Sequence, residues 1–178
     1  MYCYALFVMT GNEQGVVDEI LHRWDTTNIK PFVPMYDTMF RKSGKPYLEK
    51  QRAMPGYVLI ESSMPGQMFY LFIRDFIRSS AKSLKLLRNG RDYFDECFVM
   101  DGYEYIMLKR LLNADHCVEM SKGVIEGSLA KIVNGPLVGC EGLIKRVNRH
   151  KMQATIDVGL MGATRELTVG LEIVERLS

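Results

Sequence analysis

Lys131-Ile132-Val133-Asn134-Gly135-Pro136-Leu137-Val138-Gly139-Cys140-Glu141-Gly142-Leu143-Ile144-Lys145-Arg146-Val147-Asn148-Arg149-His150-Lys151-Met152-Gln153-Ala154-Thr155-Ile156-Asp157-Val158 is the stretch whose reading decides the fold. It runs from a glycine-rich turn into a strand, a short basic loop and a second strand. Met152, Ala154, Ile156 and Val158 alternate with Gln153, Thr155 and Asp157. That period of two puts one face in a core and the other in water. The loop holds Lys145, Arg146, Arg149, His150 and Lys151 within seven residues. On a tight turn these side chains fan toward one surface and can neutralise phosphates. An ordinary solvated hairpin tip has the same composition, so the spacing alone leaves both readings open.

Working outward, strands are expected at 129–133, 143–147, 152–158, 163–169 and 171–174, punctuated by Gly135, Gly139, Gly142, Gly159 and Gly162. Five short strands in about fifty residues suit a small barrel, which removes exposed sheet edges. Upstream, between Asn113 and Gly127, the hydrophobic pattern fades. Residues 116–126 are therefore expected to link an N-terminal domain, 1–115, to a second domain, 127–178. Flexible chain of that length spans on the order of 20 Å.

The N-terminal part reads as an α+β layer, an antiparallel sheet flanked by helices. Tyr2 to Met9 is an apolar strand. Thr10 and Glu13 have capping-box spacing ahead of Val17, Ile20, Leu21 and Trp24, and the helix is expected to end near Asp25-Thr26-Thr27-Asn28. Residues 29–61 resemble a long hairpin, with Pro31 and Pro34 favouring an edge strand. Its tip contains Ser43-Gly44-Lys45, which lacks the first glycine and the following Ser/Thr of a phosphate loop. Ser63 to Gly66 opens a helix carrying Met68, Phe69, Leu71, Phe72, Ile73 and Phe76, to about Ile77. Residues 83–87 suit a strand. Asp101 and Glu104 repeat the capping-box spacing ahead of Tyr105, Leu108, Leu111 and Leu112.

Net charge is only +2 over 178 residues, so a nucleic-acid site must come from local clustering. Cys3, Cys97, Cys117 and Cys140 fit neither a C-x-x-C nor a zinc pattern, and are expected to be buried, inert thiols in a reducing compartment. The start has no basic n-region, and no apolar run approaches the ~20 residues of a membrane span. A cytoplasmic protein with no membrane association is expected. His22, His116 and His150 lie beside no nucleophile or metal motif. Asp92, Asp95, Glu96 and Asp101 do not match a calcium loop and read as a solvated acidic turn. No catalytic residue, metal or cofactor is expected.

Two motifs then converge on one family. Asn134-Gly135-Pro136-Leu137 and Gly142, within 131–158, resemble the KOW motif, and Gly162-Ala163-Thr164-Arg165-Glu166-Leu167 with Glu172-Ile173-Val174-Glu175 is similar to the end of the NusG KOW domain. Met54-Pro55-Gly56-Tyr57-Val58-Leu59-Ile60 resembles the Phe-Pro-Gly-Tyr-Val-Leu-Val signature of the NusG N-terminal (NGN) domain. The opening Tyr4-Ala5-Leu6-Phe7-Val8-Met9-Thr10-Gly11 is similar to that domain's start. The resemblance covers nearly the whole chain. It implies an NGN domain followed by a five-stranded SH3-like KOW barrel.

Within the family, the short start and basic loop resemble the LoaP antiterminators. That likeness implies a processive antiterminator that docks on the clamp helices of RNA polymerase and reads a nascent leader RNA hairpin through its KOW domain. It assigns RNA contact to Lys145, Arg146, Asn148, Arg149, His150 and Lys151, and polymerase contact to Met54 and Tyr57. Met54 replaces a phenylalanine of the signature, and Cys3 stands where the family usually has tryptophan. Tyr57 also fits a plain core position. The chain is expected to act as a monomer. A general NusG factor, whose KOW domain binds ribosomal or Rho proteins, is the competing reading. The absence of any carboxylate in 145–151 separates the two. An isolated RNA-binding or ribosome-associated module is a third.

Overall fold

The computed structural model describes residues 1–24, 27–127 and 129–175. In chain order the elements are β1 (Tyr2–Val8), α1 (Glu13–Arg23), β2 (Ile29–Phe32), β3 (Met35–Lys42), β4 (Lys45–Arg52), β5 (Tyr57–Ser62), α2 (Gly66–Ser79), β6 (Leu84–Leu86), α3 (Phe94–Cys97) and α4 (Gly102–Leu111). Then come β7 (Cys117–Val118), β8 (Ser121–Glu126), β9 (Leu129–Asn134), a 3-10 turn (Glu141–Leu143), β10 (Ile144–Asn148), β11 (Gln153–Leu160) and β12 (Ala163–Glu175). The architecture is mixed α+β. Among the described residues no helix is long and apolar enough to cross a membrane.

The chain forms two compact units. One contains residues 1–33, 55–106 and 159–164; the other contains 34–54, 107–158 and the chain from 165 on. The first is built on a four-stranded sheet in the order β2-β5-β1-β6. β1 is buried on both faces from Cys3 to Leu6, with successive side chains pointing to opposite sides of the sheet. On one face Tyr4 stacks on Phe69 of α2, with ring centroids 3.7 Å apart, and its hydroxyl donates to the Met64 carbonyl at 2.6 Å. On the other face the Tyr105 hydroxyl of α4 donates to Glu61 at 2.8 Å. Glu61 is the β5 partner of Cys3.

Several local expectations shift. Thr10 does not cap α1: the N-cap is Asn12, without a side-chain hydrogen bond, and Glu13 turns instead to the Gly11 and Gly56 amides. The helix stops at Arg23, and Asp25 and Thr26 of the expected helix end lie outside the described residues. In α2 the buried positions are Gly66, Phe69, Ile73 and Phe76, whereas Met68 and Leu71 are exposed. With Met68, Phe69, Leu71, Phe72, Ile73 and Phe76 all apolar, the helix offers two stripes, and packing against β1 selects one. Asp101 does cap α4 through the Tyr103 amide at 2.9 Å, but Glu104 reaches forward to the amides of Met161 and Gly162.

The segment 29–40 is not one strand. It breaks at Val33-Pro34, because a proline cannot donate to a ladder. β2, with Pro31, is the edge of the four-stranded sheet; β3 pairs with β4 and β7 in a second sheet ordered β4-β3-β7. The β3–β4 hairpin turns on Ser43 (φ 51°) and Gly44 (φ 78°), the left-handed pair of a two-residue turn. The linker expected at 116–126 carries strands: β7 pairs with β3, and β8 pairs with β9 and β12. Val124 and Ile125 are consecutive buried residues in β8, so no period of two marks it as a strand.

The third sheet runs β10-β11-β12-β8-β9. Ala154, Ile156 and Val158 are buried, as their alternation requires. The strands expected at 163–169 and 171–174 form one continuous β12. Among the described residues the ladders end at β9 and β10, so the sheet is not closed into a barrel.

Candidate functional site

The basic cluster divides between a strand and a turn. Lys145, Arg146 and Asn148 lie on β10, whereas Arg149, His150 and Lys151 form the turn to β11. All six side chains are exposed. The turn is pinned by the Asn148 side-chain carbonyl, which accepts the Lys151 amide at 3.0 Å. Met152 closes it at φ 51°. This side-chain-to-backbone bond fixes the turn, and the cations around it are exposed. It also occupies one lone pair of the Asn148 side-chain oxygen and leaves the NH₂ group free for a base edge.

Lys145 differs from its neighbours. The β10–β11 register slips between Ile144 and Arg146, making Lys145 the bulged residue. Its Nζ lies 2.9 Å from Glu166 Oε1 and 3.7 Å from Asp157 Oδ1. The hydrogen bond to Glu166 raises the Lys145 pKa, with Asp157 adding to it, and the same bond lowers that of Glu166. The sequence of the loop holds no acid, but the neighbouring strands bring two carboxylates to its first cation. Among the described residues Arg146, Arg149 and Lys151 form no ion pair, although Arg146 lies within electrostatic reach of Glu166. The cations free to meet a ligand are therefore Arg146, Arg149 and Lys151.

A groove of about 490 Å³ adjoins these cations, lined by Ile125 of β8, Leu129 of β9, and Ile144, Arg146 and Val147 of β10, with Arg149 beyond. It lies along the two terminal strands of the third sheet. Nothing in the residue spacing announces it, because β9 and β10 are brought to one place only by the path of β8, β11 and β12.

In the first unit the turn that leads into β5 is held at Gly56. The Gly56 amide donates to Glu13 Oε1 at 2.8 Å, and the Gly56 carbonyl accepts the Val8 amide at 2.9 Å. Tyr57 then begins β5 directly opposite Phe7 of β1, and the rings meet edge to face with centroids 5.7 Å apart. Lys85 of β6 is the next residue along this row. Phe7 is 47% exposed and Tyr57 half-buried, so the pair presents aromatic surface. Met54, by contrast, is only 2% exposed, and its side chain is core. Phe7 escapes a reading of the sequence because its neighbours Leu6 and Val8 are apolar as well. Its face also holds the buried Cys3 and Ala5, so neither apolarity nor period marks it as exposed.

The remaining ionisable clusters are structural. Arg91 bridges Glu96 and Asp101, and the Asp101 carboxyl sits below the usual aspartate range because the Tyr103 amide bonds it. The four cysteines are buried without disulfides, and burial beside Asp37 pushes the Cys117 thiol up to about 12. A thiol so disfavoured as thiolate is a poor nucleophile.

The family model described as "Transcription termination factor nusG" matches residues 1–94, more than half of the 178-residue chain. No curated protein matches the chain.

Proposed function

The chain belongs to the NusG family, and from that premise we propose that it is a specialised, LoaP-like processive antiterminator. NusG proteins are transcription elongation and termination factors that interact with RNA polymerase. In this reading residues 1–115 form the polymerase-binding NGN domain, 116–126 connect it, and 127–178 form a KOW domain that binds a nascent RNA hairpin. The polymerase clamp helices meet the aromatic face of Tyr57 and Phe7, since aromatic anchors dominate interfaces of this kind. Met54 is buried and does not itself meet the polymerase in this reading.

The observation that carries the RNA reading is the pinned turn at 148–151. It holds Arg149 and Lys151 in the open, beside Arg146, with no ion pair among the described residues. Free cations on a fixed backbone bind phosphates without reorganisation. The protein acts without catalysis, metal or cofactor, as a cytoplasmic monomer. A general NusG factor, with a KOW domain that binds ribosomal or Rho proteins, is the second reading. The pairing of Lys145 with Glu166 and Asp157 favours it, because it removes one cation from the cluster.

Purified transcription through paired terminators, with and without a leader RNA upstream, tests the proposal. Read-through that depends on the leader supports it. Read-through or termination indifferent to the leader supports the general factor.

A further inference from the structure

The groove beside Arg146 and Arg149 is more than a support for the basic turn. Resting on the RNA-binding reading above, we propose that it takes one unstacked nucleobase of the RNA, from a loop or a bulge, while the two arginines hold the flanking phosphates. Its floor is apolar: Ile125 is buried, Ile144 and Val147 are half-buried, and all three line the cavity. Leu129 at its side is 73% exposed, an unusual position for a leucine beside a cavity. A flat base inserted there would remove that surface from water, a favourable transfer. The rim is cationic, and arginine both pairs with phosphate and stacks on a base plane. The volume of about 490 Å³ lies in the range of small-ligand sites and admits a nucleoside, not a duplex.

Glu141 also lines the groove. Its carboxylate faces the backbone, with Oε1 accepting the Ile132 amide at 3.4 Å. It therefore contributes to holding the wall and keeps its negative charge on that side of the groove. An A-form stem alone would touch the arginine rim and leave Leu129 as exposed as before. A base freed from its stack would fill the site, and this makes single-stranded nucleotides the feature recognised.

The test uses the full chain and three RNAs: a short stem closed by a loop of randomised sequence, the same stem with an abasic loop, and the blunt duplex of that stem. Affinities come from mobility shifts at fixed salt. The looped stem is expected to bind about tenfold more tightly than the abasic form, as one stacked base is worth roughly 1–3 kcal/mol. Leu129→Ala, at an exposed position, is expected to erase that preference while leaving duplex affinity unchanged. Arg149→Ala is expected to weaken binding of all three. Equal affinity for the three RNAs, with Arg149→Ala still weakening each, overturns the base-binding groove and leaves the RNA-binding reading standing. Failure of all three to bind overturns both.

Discussion

Glu13 Oε1 accepts the backbone N–H of Gly56 at 2.8 Å, and its Oε2 accepts that of Gly11 at 2.8 Å. The carboxylate is 0% exposed. The first residue of α1 thus fixes the turn that launches β5 and sets Tyr57 opposite Phe7. Glu13→Ala leaves the buried Gly56 amide without this acceptor, and an unsatisfied buried group costs about 1–3 kcal/mol, whereas the exposed Gly11 can turn to water. A loss of about 1–3 kcal/mol in urea unfolding is expected, with Glu13→Gln less severe because one acceptor oxygen remains. Equal stability of Glu13→Ala and the parent would refute the anchoring role.

Gly56 stands at φ +88°, and a Cβ there would lie 3.4 Å from both the Val8 carbonyl and Thr10 Oγ1. Gly56→Ala is expected to cost about 1–2 kcal/mol from the left-handed backbone alone. Thermal unfolding measures it. A variant as stable as the parent would mean that the turn relaxes.

Tyr57→Ala and Phe7→Ala remove the two rings of one edge-to-face pair. Each is expected to reduce polymerase binding by about tenfold or more, since anchor truncations cost roughly 2 kcal/mol or above. Met54→Leu, a volume-conserving core change, should leave binding near the parent level. Competition binding to polymerase distinguishes them. Loss with Met54→Leu but not with Tyr57→Ala would assign the contact elsewhere.

Arg149→Ala and Lys151→Ala are expected to lower RNA affinity and to reduce the slope of log affinity against log salt by roughly 0.7–0.9 each. Lys145→Ala should change the slope less, because Glu166 and Asp157 already hold that charge. Mobility shifts across a salt series give the three slopes. A larger change for Lys145 than for Arg149 contradicts the division of the cluster.

Glu166 sits below the usual glutamate range because Lys145 donates to it, and Lys145 sits above the usual lysine range for the same reason. The pair therefore stays ionised at neutral pH and is lost on the acid side only as pH falls through the lowered Glu166 pKa. Mild acidification should not release Lys145, whereas Glu166→Gln should weaken its hold at neutral pH. The expected result is tighter RNA binding and a salt slope steeper by up to about 0.7–0.9. Unchanged slope and affinity would show that Lys145 does not reach the RNA.

The sequence reading succeeds where one local pattern suffices. β1 is fixed by its apolar run, the hairpin tip by Ser43-Gly44, and β11 by its alternation. It fails where two partners decide. Whether Met68 or Phe69 faces inward depends on β1, and whether Glu13 caps its own helix depends on a glycine far along the chain. The basic turn was legible because its residues are consecutive. The acids facing Lys145 were not, because each lies on another strand.

By itself the sequence determined the types of β1, α1, α2, α4 and β11, the NusG-like signature at Met54–Ile60 and the knot of cations at 145–151. All of these are written in neighbouring residues, where backbone preference and side-chain period act directly. Only the tertiary structure decided that Met54 is core while Phe7 faces out beside Tyr57, that Lys145 is neutralised while Arg146 and Arg149 are not, and that a groove opens beside them. Those outcomes depend on strand order and register, and a carboxylate or ring acts over a few ångströms of space regardless of its distance along the chain.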